Sequence, residues 1–585
     1  MYLQMSGYYT VEGHIVHPDG MPALETTVLA VDVDAGADDP LGATGVRPDG
    51  SFELGADAAD LGGAAEGEPE VLLSVFRDGD VLSQQRVTPD PEATVEVTVE
   101  RASDLSMGDM MDAMCEMHHG MTEQRGMENV PSDPFHPGHG RFGRMFPYLE
   151  AADHDPEFLQ DLGRKGGLLD EGEHDRSVGE SSVPAGFAFL GQFIDHDITL
   201  DPLSSLSRRS DPDAIRNFRT PRLDLDSVYG TGPETSPFLY ESPFQGGEED
   251  RLLVAGDGRP DVPRNREAVA LIGDHRNDEN HIISQFQYAM LQFHNSIVEW
   301  LDESCSAAFE RANQLARWHY HWTVLEEFLP TVCDPDVVED VREDRESYTV
   351  GKGDEPYIPL EFAVGAYRYG HSQIRQRYRV NADTAAALFG HGDDAFGMGF
   401  EAPSADEAVD WRYLFDLKDP DVTPQRARAI DPLVSTDLLD LPFLESDGWR
   451  ASLASRNLVR GRRLGLPSGQ AVARALGVDP LSNEAIGFDE AIEKHDQEPA
   501  TDAPLWYYVL AEAREASDGD HLGPVGSRIV AETLVGLIES DTTSFLTVQP
   551  GWTPTLPAPH SGTDEFTTAD LLEFAVGGRN GAASH

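Results

Sequence analysis

The sequence predicts a mainly α-helical protein that begins with a small all-β domain. Short alternating segments joined by Asp-Gly turns fill about the first hundred residues, which is typical of a small β-sandwich. Beyond residue 150 few strands are expected, and the stretches 274–301 and 307–329 carry apolar residues at helical spacing. A chain of 585 residues is long enough for several domains and a large core.

The pattern divides the chain into four parts. We expect a β-sandwich over 1–101, a Met/His-rich linker over 102–145, a large helical domain over 146–553 and a tail over 554–585. Strands are predicted at 9–16, 27–31, 51–54, 71–76 and 94–99. Val-x-Gly-x-Ile followed by Pro-Asp-Gly-x-Pro near the start resembles the transthyretin-like, carboxypeptidase-regulatory sandwich. We interpret this part as a binding or spacer module whose partner the sequence does not identify.

The linker is rich in soft metal ligands. Its methionines lie close to Cys115, His118 and His119, and thioether, thiol and imidazole groups are ligands for Cu(I). No fixed ligand spacing appears, however. We therefore favour an amphipathic segment whose methionines pack on the neighbouring domain.

The charge of the chain argues against nucleic acid as a partner. Its net charge is −62, and only four of its 43 basic residues are lysines. Acidic residues spread along the whole chain suit a cytoplasm with molar salt, where repulsion is screened within about 3 Å, so we expect a halophilic source. Nucleic acid is excluded as a partner because phosphate binding needs clustered basic residues.

Three cysteines cannot all pair within one chain, which favours a reducing compartment. The N-terminus has neither a basic region nor an apolar region of a signal peptide. No apolar run reaches the roughly 18 residues that a membrane span requires. We expect a soluble, cytoplasmic protein, with an unrecognised export route left open.

The stretch Gln192–Asp197 is the first candidate for chemistry. An apolar run from Val183 leads into it, and Asp195, His196 and Asp197 follow one another. On a helix, Gln192 and His196 share a face, Asp195 lies at its edge and Asp197 points elsewhere. The simpler interpretation is a buried helix end capped by acids.

Four further stretches have both a functional and a structural interpretation. Arg276 and Glu279 share a helix face or form an exposed salt bridge. His371 is a ligand beside a small Gly370 or a satisfied core histidine. Oxygen donors at 220–226 suit a hard cation or form a polar surface turn. The arginine cluster at 456–463 implies an anionic counterpart.

Taken together, these stretches resemble the animal-type haem peroxidases (the peroxidase–cyclooxygenase superfamily), in the family's order over roughly residues 140–550. Leu522–Glu532 resembles the bacterial-type branch. The resemblance implies haem b as cofactor, with three distal catalytic residues and several that hold the haem. The distal residues are the base His196, Arg276 and the halide-site residue Gln192. The iron ligand is His371, Asn457 accepts its other N–H, Arg368 and Arg460 lie near the propionates, and Asp195 and Glu279 form ester bonds to the haem.

The resemblance also implies a Ca²⁺ site formed by Asp197, Thr220, Arg222 (through its carbonyl), Asp224 and Asp226. Some members carry a methionine that forms a sulfonium link to the haem, where this chain has Asn280. We therefore expect that link to be absent.

The implied function is reduction of H₂O₂ and oxidation of halide, thiocyanate or small phenols through an oxoferryl intermediate, as in the response to oxidative stress. Two alternatives stay open. One is a fatty-acid dioxygenase, although the position of the cyclooxygenase radical tyrosine, three residues before His371, is Arg368. The other is a haem-free interaction scaffold.

Overall fold

A computed structural model describes seven strands between residues 8 and 98, and residues 140–577. Not described within the second range are 174–178, 201–215, 243–249, 257–258, 302–307, 353–354, 390–395, 397–398, 442–447, 496–500 and 561–564. The chain divides into two compact units, one of residues 1–117 and 122–136 and one of residues 118–121 and 137–585. Most of the Met/His-rich linker lies outside the described residues, and so do both of its interpretations, the favoured amphipathic segment and the alternative of Cu(I) binding.

The N-terminal unit is built from two sheets. A three-stranded sheet has the order β4-β1-β7, and a four-stranded antiparallel sheet has the order β3-β2-β5-β6. β3 and β6 are additional to the predicted strands, because Pro40 and Gly42 in β3 and the polar run of β6 give no alternation of apolar residues. The strands are β1 (Tyr8–Val16), β2 (Thr27–Asp32), β3 (Asp39–Gly45), β4 (Ser51–Asp57), β5 (Val71–Arg77), β6 (Asp80–Val87) and β7 (Thr94–Thr98).

The C-terminal unit is mainly helical, as predicted. Its strands are short pairs: β8 (Gly140–Gly143), β9 (Glu180–Pro184), β10 (Arg216–Asn217), β11 (Ile358–Pro359), β12 (Arg377–Arg379), β13 (Ala385–Ala387) and β14 (Arg426–Arg428). The α-helices are α1 (Pro156–Gly163), α2 (Gly186–Ile198), α3 (Asp226–Tyr229), α4 (His281–Trp300), α5 (Ala308–Thr323), α6 (Leu329–Val332), α7 (Pro335–Glu343), α8 (Leu453–Arg463), α9 (Gly469–Ala475), α10 (Asn483–Ile486), α11 (Asp489–Lys494), α12 (Leu505–Ser517), α13 (Pro524–Ser540), α14 (Phe545–Val548) and α15 (Thr568–Gly577).

Helix α2 lies in the core. It is buried along almost its whole length, and a helix that is apolar on all sides is stable only when other elements surround it. The apolar run that starts at Val183 is divided between two elements. Its first residues lie in β9, which pairs with β14, and α2 starts after this strand at Gly186. Phe189 and Phe193 are fully buried on α2 and fix it against its neighbours.

The predicted helix over 274–301 is interrupted. A 3₁₀ turn covers His275–Asp278, and α4 begins at His281. Asn280 caps α4, since its side-chain oxygen accepts hydrogen bonds from the backbone N–H groups of Ile282 and Ile283 at 3.2 and 3.0 Å. The interruption lets the turn 274–279 direct its side chains inward rather than along one helix face.

Two helical segments near the site depart from α-geometry. A π-helical turn, Val324–Phe328, joins α5 to α6. A second one, Glu361–Gly365, leads into a 3₁₀ segment, Ala366–His371. π-turns within helices occur frequently at functional sites, and the 3₁₀ segment that follows this one ends on the predicted iron ligand His371.

Candidate functional site

Adjacent side chains at the end of α2 point in different directions. Gln192 contacts Glu279 by a short hydrogen bond. The Asp195 carboxylate accepts a 2.9 Å hydrogen bond from Thr199 Oγ1. His196 contacts Asn277, and Asp197 contacts the loop that precedes α3. Three neighbouring residues therefore serve three surroundings, as the helical spacing predicts.

A chain of amide side chains sets the protonation of His196. Its Nδ1 lies 2.8 Å from Asn277 Oδ1, Asn277 Nδ2 donates to Gln287 Oε1 at 2.8 Å, and Gln287 Nε2 donates to the Ser227 carbonyl at 3.3 Å. Because a carbonyl only accepts, this order assigns both amides. The proton of the neutral imidazole therefore lies on Nδ1, and Nε2 carries the lone pair.

Burial is the main cause that lowers the pKa of His196 to about 3, and the charge of Arg276 adds to it. The side chain is 5% exposed. At neutral pH the imidazole is consequently uncharged and can accept a proton at Nε2.

Arg276 is fixed by its neighbours. Its Nε and one terminal nitrogen donate to Asp274 at 3.1 and 2.8 Å, and that nitrogen also donates to the carbonyls of His196 and Thr199. The predicted alternative, an exposed salt bridge with Glu279, is wrong. Both residues are buried, and the ion pair of Arg276 is with Asp274.

Two carboxyl groups lie close to Arg276. Burial raises the pKa of Asp195 although Arg276 and Arg368 oppose it. Burial raises the pKa of Glu279 to about 8, again against Arg276. Carboxyl groups that stay protonated at a buried site are functional candidates. Because Asp195 interacts with both Arg276 and Arg368, the segments that carry these arginines converge on one region.

His371 is contacted by Asn457, which is also bound to Arg368. Asn457 Nδ2 lies 2.8 Å from its Nδ1, and Asn457 Oδ1 accepts a 2.8 Å hydrogen bond from Arg368. The amide nitrogen of Asn457 faces His371 here and Arg368 contacts the amide oxygen, whereas acceptance of a proton from His371 requires the amide in its other orientation, so that role stays a prediction. A Cβ built at Gly370 would meet no atom within 4 Å, so open space borders the histidine.

Further buried arginines surround this segment. Arg460, one turn after Asn457 on α8, is 5% exposed. Arg368 also donates from Nε to the Ala363 carbonyl at 3.0 Å. Burial and the charge of Arg368 lower the pKa of His371 to about 3, so its ring is neutral and able to bind a metal.

The three carboxyl groups among the predicted cation residues come together. Oxygen atoms of Asp197, Asp224 and Asp226 lie within 4.8 Å of one another. Burial and the neighbouring carboxylates raise the pKa of Asp197, and burial with Asp226 raises that of Asp224 to about 7. Such clustering is unfavourable without a cation, so the donor set fits a hard divalent ion.

The loop that carries this cluster has an unusual backbone. Leu223 and Leu225 adopt left-handed φ values of 49° and 61°, which branched side chains rarely do. Thr220 donates to Asp226 from its backbone nitrogen and its hydroxyl at 3.2 and 3.3 Å. Arg222 is half-buried and donates from its backbone N–H to the Thr220 carbonyl.

Five residues that organise the site are not among those predicted from the sequence: Arg219, Ser227, Asp274, Asn277 and Gln287. Asp274 and Asn277 lie in the same stretch as the predicted residues Arg276 and Glu279, but Arg219 and His196, which they contact, are remote in sequence. A buried arginine beside the cation loop was one available signal, because an acidic chain keeps few basic residues inside. Nothing in the local pattern indicates Gln287, which is one amide on a long helix.

In this mainly helical unit, the buried His196 and the half-buried His371 are both neutral and are each contacted at Nδ1 by an asparagine. The family model described as animal haem peroxidase matches residues 204–498, half of the chain. The chain belongs to the animal haem peroxidase family. The match includes Arg276, His371 and Asn457, whereas α2 lies just before it.

Known relatives agree with this family. Chorion peroxidase of Drosophila melanogaster is 23% identical over 54% of this chain and 41% of its own length. Thyroid peroxidase of Rattus norvegicus is 23% identical over 58% of this chain and 39% of its own length. The chain thus spans about two fifths of the length of these relatives. Peroxidase A from Dictyostelium discoideum shares the fold, with a TM-score of 0.52 at 16% identity over 74% of this chain and 93% of that one.

Proposed function

We propose that the protein is a haem peroxidase that reduces H₂O₂ and oxidises halide, thiocyanate or small aromatic donors. The observation that carries the proposal is the neutral, buried His196 with its lone pair on Nε2, fixed beside Arg276. A proton acceptor next to a fixed positive charge is what peroxide deprotonation requires. Consumption of peroxide agrees with a part in the response to oxidative stress.

His196 would move the proton. Its Nε2 would accept a proton from the peroxide. Because burial lowers the pKa of the ring to about 3, the imidazolium that forms would hold this proton only weakly. The proton is therefore readily passed on to the departing oxygen. The guanidinium of Arg276 has no acceptor atom, so it would act through its positive charge. Gln192 can orient water or halide, since it lies one helical turn before His196.

The residues present fit haem b. Bound haem supplies the redox chemistry of the reaction. His371 would bind the iron through Nε2, which places the ring proton on Nδ1, so the Asn457 amide would turn its oxygen toward the ring to accept that proton and orient it. Arg368 and Arg460 supply positive charge for the propionates. Asp195 and Glu279, with raised pKa values, are the candidates for ester bonds to the haem.

A Ca²⁺ ion at Asp197, Asp224 and Asp226, with Thr220 and the Arg222 carbonyl, would join α2 to the loop before α3. Since Asp197 follows His196 directly, this ion would fix the end of the helix that carries the proton acceptor. Asn280 caps α4 and has no sulfur atom to form a sulfonium link to the haem. We therefore propose that the reduction potential of the haem iron is less extreme than with such a link.

We place the protein in a cytoplasm of high salt, on the basis of its acidic composition. In the part of the chain that the structure describes, no helix is long and apolar enough to cross a membrane.

Absorption spectroscopy tests the proposal. The chain, expressed with haem in high salt, should show a Soret band and oxidise bromide or an aromatic donor when H₂O₂ is added. A chain without a Soret band would support the scaffold alternative. Oxygen uptake with fatty acid, and no peroxide-driven oxidation of the donors, would support the dioxygenase alternative.

A matched pair of variants sharpens this test. His196→Ala should lower peroxide-dependent turnover by about 10²–10⁴-fold with haem still bound. His319→Gln is the control, because His319 is equally buried but bonds only to backbone groups at Leu315, Thr555 and Leu556. If the His319→Gln variant folds, its peroxide-dependent activity should be retained. Loss of haem in His196→Ala would mean that the distal and proximal assignments are wrong.

A further inference from the structure

We propose that Arg219 is a positioning residue that couples the carboxylate cluster of Asp197, Asp224 and Asp226 to Arg276. The coupling runs through Asp274, which both arginines contact. This inference rests on the proposed function only where ligand binding to the haem is used as its readout.

Arg219 touches both ends of this connection. Its NH1 donates to Asp226 Oδ1 at 3.1 Å, and its Nε donates to Asp274 Oδ2 at 2.8 Å. The remaining terminal nitrogen donates to the Gly273 carbonyl at 2.7 Å. Because the guanidinium is planar and its donors have a fixed geometry, a shift of one carboxylate is transmitted to the other.

Asp274 completes the connection to the distal site. It is fully buried, and its Oδ1 and Oδ2 accept hydrogen bonds from Arg276. Burial raises its pKa, but the charges of Arg219 and Arg276 outweigh burial and hold that pKa well below its usual range. One ionised carboxylate is therefore shared by two arginines, so a change in one pair alters the other.

The charges of the group indicate what its state depends on. When all four carboxyl groups (Asp197, Asp224, Asp226 and Asp274) are ionised opposite the two guanidinium groups, a charge of −2 is left, which one divalent cation would balance. A cation on Asp226 weakens the attraction of Asp226 for Arg219. Arg219 then pairs more completely with Asp274, and Arg276 exerts more of its positive charge on the distal site.

A second route links the same regions. Ser227 donates to Asp197 from its backbone nitrogen and hydroxyl, and its carbonyl ends the amide chain to His196. This route contains no arginine. Substitution of Arg219 therefore separates the two routes.

The test uses cyanide binding to the ferric holoenzyme, followed by the Soret shift, with saturating Ca²⁺ and after treatment with EGTA. In the unaltered protein, Ca²⁺ should tighten cyanide binding by about fivefold, the lower end of usual couplings between sites. In Arg219→Gln the ratio of the two dissociation constants should fall toward one, and any ratio that remains is the contribution of the second route through Ser227.

Arg264→Gln is the matched control. Arg264 is also buried and bridges two carboxylates, Asp261 and Asp278, in the same region without touching Asp274. It should keep the Ca²⁺ ratio of the unaltered protein although its unfolding midpoint falls. Arg219→Lys keeps the charge without the bridging geometry, so it should also lose the ratio; it serves where the glutamine variant does not fold.

Equal cyanide affinity with and without Ca²⁺ in the unaltered protein overturns the proposal, and so does an unchanged ratio in Arg219→Gln. A missing Soret band instead contradicts the proposed haem function. In that case the link is tested through Ca²⁺ affinity by calorimetry, since coupling is reciprocal. Arg276→Gln should change Ca²⁺ affinity in the parent chain but not in the Arg219→Gln background, and equal changes in both would reject the link.

Discussion

The turn 274–280 and the segment 361–371 each hold one side of the candidate haem site, and they do so differently. On the distal side, Asp274, Arg276 and Asn277 are tied to one another or to charged and amide partners. On the proximal side, aromatic rings dominate. Tyr367 stacks on Phe362 with ring centroids 4.4 Å apart, and Asn457 contacts His371 at Nδ1.

This difference matches two physical requirements. Proton transfer needs fixed charges and a defined tautomer, which only a dense hydrogen-bonded network can provide. Holding an iron needs one correctly oriented imidazole, and packing can supply most of that orientation. We therefore expect distal substitutions to affect rate and proximal ones to affect haem retention.

The largest effect is expected on the proximal side. His371→Ala removes the proposed iron ligand, so the Soret absorbance per chain should fall by about tenfold or more while the helical circular dichroism is retained. Asn457→Leu keeps the ligand and loses only its orientation, so it should weaken haem binding by about 10–100-fold. Full haem occupancy in His371→Ala would identify another ligand.

On the distal side, the amide chain should control rate. Asn277→Leu frees His196 to carry its proton on either nitrogen, so peroxide turnover should fall by about 10–100-fold with haem content unchanged. Gln287→Leu removes the more distant link and should cost less. If Asn277→Leu released haem instead of slowing turnover, the contrast between the two sides would not hold.

Glu279 gives a pH signature on the distal side. Its pKa is raised by burial to about 8. Because the folded form binds the proton more tightly than the unfolded one, this stabilisation is complete below the ordinary pKa and is lost as pH rises through about 8. In haem-free protein, Glu279→Gln should therefore reduce the fall of the melting temperature between about pH 5 and about pH 9. The exposed Glu484→Gln should leave that fall unchanged.

The smallest specific effect concerns salt, which should act on both sides alike. With a net charge of −62, the melting temperature should rise between about 0.1 M and about 2 M KCl as repulsion is screened. Because sucrose stabilises proteins by exclusion and not by screening, the rise in KCl should exceed the rise in sucrose at equal osmolality. A flat response to KCl would remove the basis for the proposed high-salt cytoplasm.

Much of the candidate site could be predicted from local spacing. The separation of Gln192, Asp195, His196 and Asp197 follows from helical geometry alone. Oxygen donors alternating over 220–226 indicated the cation cluster, which the fold closes around Asp197. The resemblance supplied Arg276, Glu279, His371 and Asn457, whose roles stay proposals.

Periodicity and residue type are enough to specify the mainly helical fold class, the family and the three different directions in which Asp195, His196 and Asp197 point from α2. Only the tertiary structure decided the partners. Arg219 with Asp274, and Gln287 with Asn277, join residues from separate elements, and local patterns carry no information about such pairs. The protonation of His196 is likewise decided by the fold, since it depends on a carbonyl at Ser227 that is remote in sequence.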